Sequence, residues 1–185
     1  MLVVIVIAVI VVVAIIAFVV SAMRRRQADS LRNQFGSEYD RTVEETGNER
    51  RAGTILKERV QRVQALNIVP LSYTDREEYQ AQWKNVQAQF VDDPAGAVSN
   101  ADGLVQDVMA KRGYPVGDFA QRTADISVDH HDVVEHYRAA HDIATAEESG
   151  NASTEDLRQA MVHYRALFED LLRPETATMG QEAAR

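Results

Sequence analysis

Five histidines, His130, His131, His136, His141 and His163, are the side chains in which this sequence concentrates potential chemistry, because imidazole both ionises near neutral pH and ligates metals. A metal site on one helix wants ligands at i and i+4, on one face and one turn apart. His131–His136 and His136–His141 are each five residues apart, which turns the second ring about 140° away from the first. Asp132–His136 has the four-residue spacing, but a surface ion pair explains it equally well. A cluster of His136, His141 and His163 would need His163 to arrive from a neighbouring helix, so no metal and no cofactor is expected. Imidazoles on an acidic domain also offer a charge change between about pH 5 and 8, although solvated helix faces carry histidines without any such purpose.

The carboxylates outline no reaction centre. Asp92-Asp93 before Pro94 reads as a helix cap with an extra charge for the dipole, and Asp75-Arg76-Glu77-Glu78 as an acidic first turn. The segment Gly113-Tyr114-Pro115-Val116-Gly117-Asp118-Phe119 is a tight loop with two aromatics. It is either a recognition corner in which Tyr114, Pro115 and Phe119 anchor a partner, or a helix terminator with Gly113 at C′ and Tyr114 locking back onto Met109. The terminator reading accounts for every residue but Phe119. The chain has no P-loop, GxGxxG, GxSxG, HExxH or EF-hand loop. It has no cysteine, which excludes disulfides, thiolate metal sites and cysteine nucleophiles. No catalytic residue emerges, and a non-enzymatic role is expected.

The elements that must position these residues read as helices throughout. Ser37 is expected to cap a helix weakened by Gly47 and Gly53, in which Leu56, Val60 and Val63 form a narrow apolar seam that ends before Pro70. Thr74 is expected to cap a helix with Tyr79, Trp83, Val86 and Phe90 on its inner face. Asp93-Pro94 opens another, with Val98, Ala101, Leu104, Val105 and Val108 inward and Gly113 at its end. A short piece from Asp118 to Ile126 leads to Asp129, expected to cap a helix facing inward through Val133, Val134, Tyr137, Ala140 and Ala144. Ser153 and Asp156 form a capping box before Leu157, Met161, Tyr164, Phe168 and Leu171. His136-Tyr137-Arg138-Ala139 recurs as His163-Tyr164-Arg165-Ala166, and the two tyrosines are expected to meet in the core of an antiparallel pair.

The first residues are of another kind. Leu2 to Ala22 carries no charge over 21 residues, fourteen of them Val or Ile, and Arg24, Arg25 and Arg26 follow. As a helix this run is about 30 Å long, the thickness of a bilayer's hydrocarbon core. A cleaved signal peptide would need a basic stretch before the apolar run, a shorter run and a small-x-small cleavage site; here the arginines lie after the run and Ser21-Ala22-Met23 makes a poor site. An uncleaved transmembrane anchor is therefore expected, with the arginines holding the rest of the chain on the cytoplasmic side. Charge is uneven beyond the span. Residues 24–66 hold ten Lys/Arg against seven Asp/Glu, and residues 67–185 hold ten against twenty-one. An acidic domain repels nucleic acid, so no nucleic-acid partner is expected.

Several strings occur in an order that carries a resemblance. They are the apolar start ending in Arg24-Arg25-Arg26, Phe35-Gly36-Ser37-Glu38-Tyr39-Asp40-Arg41-Thr42-Val43, and Gln89-Phe90-Val91-Asp92-Asp93-Pro94. Arg112-Gly113-Tyr114-Pro115-Val116, Ser127-Val128-Asp129-His130 and Ala152-Ser153-Thr154-Glu155-Asp156-Leu157-Arg158-Gln159-Ala160-Met161-Val162-His163-Tyr164-Arg165 follow. With them the chain resembles an uncharacterised family of bacterial single-pass membrane proteins with a small helical domain. The resemblance implies anchorage in a bacterial inner membrane and a helical domain, and no activity; some members carry a secreted label.

The expected architecture is all-α: a transmembrane helix at 1–23, a basic helical stem at 24–70 partly docked on the bundle, an acidic bundle of four to five helices at 71–173, and a tail at 174–185. The expected function is a membrane-anchored interaction module whose partners are the lipid bilayer and another protein. The alternatives are a small-molecule, metal- or pH-responsive domain with a pocket between the helices bearing Tyr137 and Tyr164 and histidines at its rim, or a hydrolase using carboxylates and histidine. For location, the alternative is secretion after cleavage.

Overall fold

The computed structural model describes residues 1–174, excepting the side chains of residues 2–14, 17, 20 and 24. Among the described residues the chain is all-helical, with eight helices and no strand. It forms two compact units, Met1–Lys57 and the chain from Glu58 onward. Residues 58–64 lie in the second unit.

The first unit holds α1 (Leu2–Phe35), α2 (Ser37–Thr46) and most of α3 (Glu49–Gln64). α1 is unbroken for 34 residues and stops where Gly36 takes φ 51°, its N–H closing onto the Arg32 carbonyl at 2.9 Å. Ser37 is the first residue of α2 and makes no side-chain cap; the bend at Gly36 starts that helix instead. Gly47 does not sit inside a helix as expected but ends α2 in the left-handed conformation. Asn48 Oδ1 then accepts from the N–H groups of Arg50 and Arg51 and caps α3. The buried apolar residues here are Leu31, Phe35, Tyr39, Ala52 and Leu56.

Among the described residues no helix is long and apolar enough to cross a membrane. The apolar run Leu2–Ala22 falls mostly on side chains outside the described set, as does Arg24, and the tail beyond Pro174 lies outside the described residues altogether.

The second unit is built on α4 (Tyr73–Gln89), α5 (Pro94–Arg112), α6 (Phe119–Asp129), α7 (Val134–Glu148) and α8 (Thr154–Leu171). α5 packs on α4, α7 and α8, and α8 packs on α5 and α7. The core includes Val98, Leu104, Val105 and Val108 of α5 and Leu157, Met161, Tyr164, Phe168 and Leu171 of α8, whereas Tyr79, Val86, Phe90, Val133 and Ala144, also expected inward, are only half-buried. Trp83 of α4 stacks on Phe168 of α8, ring centroids 4.7 Å apart. Burying each such side chain contributes about 1.5–3 kcal/mol.

The caps explain where these helices start. Asp93 accepts from Gly96 N–H with Pro94 in the first turn, Asp118 accepts from Gln121 N–H, and Ser153 with Asp156 completes a reciprocal capping box. Two expected caps move. Ser72, not Thr74, caps α4, because its hydroxyl is placed to accept from Asp75 N–H. Asp129 ends α6 rather than opening α7: its carboxylate is taken by the Tyr114 hydroxyl at 2.7 Å, and α7 begins after Val133 with no side-chain cap. Arg62 of α3 reaches Asp125 of α6 at 2.7 Å and ties the last turns of the stem to the bundle.

Candidate functional site

α7 and α8 are joined by residues 149–153 alone, which makes them an antiparallel hairpin. The repeated tetrapeptide lies across that hairpin. Tyr137 and Tyr164 are fully buried with ring centroids 6.3 Å apart, edge to face. The histidine before each tyrosine is carried to the rim of the same interface, where His136 Nδ1 lies 2.9 Å from His163 Nδ1. Two imidazole nitrogens at that distance share one proton or point two lone pairs at one cation. Burial, and then the neighbouring His136, holds His163 below the ordinary histidine range. His141 does not join them, because it stacks on Phe119 at 3.6 Å between ring centroids. Among the described residues no group of three or more His, Asp or Glu could hold a metal ion.

Beneath the histidines the tyrosines belong to a buried polar group. Arg122 Nε donates to the Tyr137 hydroxyl at 3.0 Å, and Arg122 Nη1 donates to the Gly117 carbonyl. Burial, reinforced by the Asp102 charge and opposed by Arg122, pushes the Tyr137 phenol up to about 12. Burial and Asp102 push Tyr164 up as well. The Tyr164 hydroxyl and Asp102 Oδ1 are both buried and neither makes a well-formed hydrogen bond, although the Asp102 charge is close enough to act on the phenol. Phenols held protonated in a closed core are neither nucleophiles nor bases at neutral pH.

A second histidine, His130, is paired with a carboxylate. His130 Nδ1 meets Asp170 Oδ2 at 2.5 Å, and His130 Nε2 meets Arg112 Nη1 at 3.2 Å. Arginine only donates, so Nε2 accepts and Nδ1–H donates to Asp170. Burial pushes the Asp170 carboxyl up, but the hydrogen bond from His130, with the Arg173 and Arg112 charges, outweighs it and leaves the group below the ordinary aspartate range. Both nitrogens of the ring are engaged by protein groups. Arg112 Nη1 also donates to the Leu171 carbonyl, which makes the cluster a clasp between the ends of α5, α6 and α8.

The glycine-bracketed loop is the terminator at its helix end. Gly113 N–H and Tyr114 N–H close onto the carbonyls of Ala110 and Met109, each at 3.0 Å, with Gly113 at φ 100°. Tyr114 is buried, Pro115 is exposed, and Phe119 is half-buried against Tyr137. Tyr114 is therefore core and offers no anchor to a partner.

The surface feature that sequence reading missed lies between the end of α4 and the outer face of α8. A groove of about 200 Å³ is lined by Phe90, Met161 and Val162, with Gln87, Arg158 and Arg165 at its edges. Val162 is 49% exposed, and Val91, beside Phe90, is 83% exposed. Arg158 and Arg165 are paired with Glu155 and Glu169 on the same helix, so the rim is close to neutral. The available signal was Val162, an aliphatic residue off the four-three seam of α8. No protein family, curated protein or solved structure was found to match the chain.

Proposed function

We propose that the protein is a membrane-anchored, non-enzymatic interaction module: Leu2–Ala22 spans the bilayer, the arginine collar keeps the helical domain on the cytoplasmic side, and that domain receives a helix of a partner protein. The observation that carries this reading is the continuity of α1, which runs from Leu2 through the arginines to Phe35 without a break. A span joined to its stem by one helix sets the direction in which the chain leaves the lipid. The resemblance to bacterial single-pass proteins points the same way. A non-enzymatic role is supported by the closure of the polar groups: His130 is clasped on both sides, and the two core tyrosines stay protonated. The groove of Phe90, Met161 and Val162 has room for one or two aliphatic side chains, which suits the anchors of an amphipathic helix.

Alkaline phosphatase fused after Leu172 tests the orientation. An inactive fusion is expected with that end in the cytoplasm, and strong activity would contradict it. Photocrosslinking from position 91 in intact membranes tests the groove. A discrete adduct lost on Val162→Glu is expected, whereas an unchanged adduct would refute this use of the groove.

One specific observation favours a second reading, in which the His136–His163 pair makes the domain responsive to pH or to a divalent cation completed by water or by another molecule. Tight, stoichiometric uptake of zinc by calorimetry, lost on His136→Ala, would select it.

A further inference from the structure

α8 carries a second stripe, turned away from the one that faces the core. Beyond the capping turn its exposed residues are Arg158, Val162, Arg165 and Glu169, and Glu155 precedes them. Steps of three and four set these residues on one face. The stripe borders the groove of Phe90, Met161 and Val162, whose edge includes Arg158 and Arg165. Val91, next in the chain to Phe90, is exposed as well.

The charges of the stripe complement themselves. Glu155, Arg158, Val162 and Arg165 are spaced three, four and three apart, a pattern that maps onto itself when a second copy runs the opposite way. In that register Glu155 of each chain meets Arg165 of the other, and Arg158 of each meets Val162 of the other, so no like charges face. Within one chain Arg158 pairs with Glu155 and Arg165 with Glu169, yet all four side chains are more than half exposed and can take a further partner. The stripe is also neutral. Residues 67–185 hold ten Lys/Arg against twenty-one Asp/Glu, a net charge of −11 that sets two copies of the domain against each other. α7 shows the contrast: its exposed residues are Glu135, His136, Asp142, Thr145 and Glu148, three carboxylates and no cation.

We infer that the helix received at this groove is α8 of a second copy of this chain. The two helices run antiparallel about a two-fold axis, with a Glu155–Arg165 contact at each end. Between those ends the apolar stem of each Arg158 lies on the other chain's Val162, its charged head remaining in water. One patch serves as both halves of the contact, so every interaction occurs twice. Copies held in one membrane meet at a higher effective concentration than in solution, which lets a narrow face suffice. The inference rests on the reading of the groove as a docking site.

The full chain in native membranes tests it, and because the sequence has no cysteine, each introduced thiol reports one position. A copy with Arg158→Cys and a differently tagged copy with Val162→Cys, oxidised together, should yield a disulfide-linked pair carrying both tags. Gly103→Cys in both copies, in open space on α5, should not. Co-purification of two differently tagged chains measures the strength of the contact. Glu155→Arg or Arg165→Glu sets like charges together twice, and each should lower co-purification more than about tenfold. The double variant should restore most of it, a recovery that misfolding could not produce. No 158–162 linkage, equal linkage through position 103, or a double variant no better than the singles would overturn the inference. The photocrosslinked adduct from position 91 separates this inference from the reading beneath it. An adduct of twice the chain's mass supports the second copy. A different protein in the adduct would overturn the second copy and leave the docking groove, whereas no adduct would remove both.

Discussion

His136 and His163 meet nitrogen to nitrogen, Nδ1 to Nδ1 at 2.9 Å, across the α7–α8 hairpin, directly above the edge-to-face contact of Tyr137 with Tyr164. The two contacts come from one repeated tetrapeptide, so the hairpin register fixes both. Half-buried His163 is held below the ordinary histidine range, which means the unfolded chain takes up its proton at a higher pH than the folded one. Where the unfolded state binds more protons, stability rises with pH. Stability should therefore fall as pH drops from about 7.5 through the unfolded histidine value of roughly 6.5 and below. Urea unfolding across that range, with His163→Gln as the control, should give a slope in the native chain and a shallower one in the variant. Equal slopes would remove the pair as its source.

Two glycines should respond in opposite directions to the same change. Gly113 has φ 100°, and a Cβ there would lie 2.4 Å from the Asn67 carbonyl oxygen. Gly113→Ala should cost at least about 1–2 kcal/mol from the left-handed backbone alone. Gly103 lies inside α5 with open space around it. Gly103→Ala should stabilise by about 1 kcal/mol, the helix-propensity difference. Chemical denaturation of both variants checks the signs.

Phe168 is almost fully buried and stacks on Trp83, joining α8 to α4. Phe168→Ala should destabilise by about 3–5 kcal/mol. Quenching or a spectral shift of Trp83, the chain's one tryptophan, would report the same contact optically.

Asp125 has no exposed side-chain surface and is held by Arg62 at 2.7 Å and by Gln121 at 2.8 Å. Arg62→Ala leaves that carboxylate with Gln121 alone and should cost about 1–3 kcal/mol. Arg62→Ala in an Asp125→Asn background should cost clearly less, and equal costs would mean that the pair does not couple the last turns of the stem to α6.

Much of this architecture was legible in the sequence. The inner faces of α5 and α8 repeat at fours and threes, and Asp93-Pro94 and Ser153-x-x-Asp156 mark helix starts whose chemistry is local. The meeting of Tyr137 and Tyr164 was legible because a repeated motif in consecutive antiparallel helices brings equivalent positions together. What escaped depended on partners distant in sequence. Asp129 looks like a cap until the Tyr114 hydroxyl is seen to claim it. His130 looks like a surface imidazole until Arg112 and Asp170 close around it. His141 was grouped with His136 by number, and Phe119, from another element, draws it away. The groove was invisible because faces of different helices form it.

The central claim is that the leading apolar segment stays in place and fixes the helical domain to a bilayer. The most direct measurement is alkaline carbonate extraction of membranes carrying the native chain, followed by intact mass determination of the pellet and supernatant. The account predicts a pelleted species at the full 185-residue mass. A soluble species lacking the first twenty or so residues, as signal cleavage would leave, would contradict it.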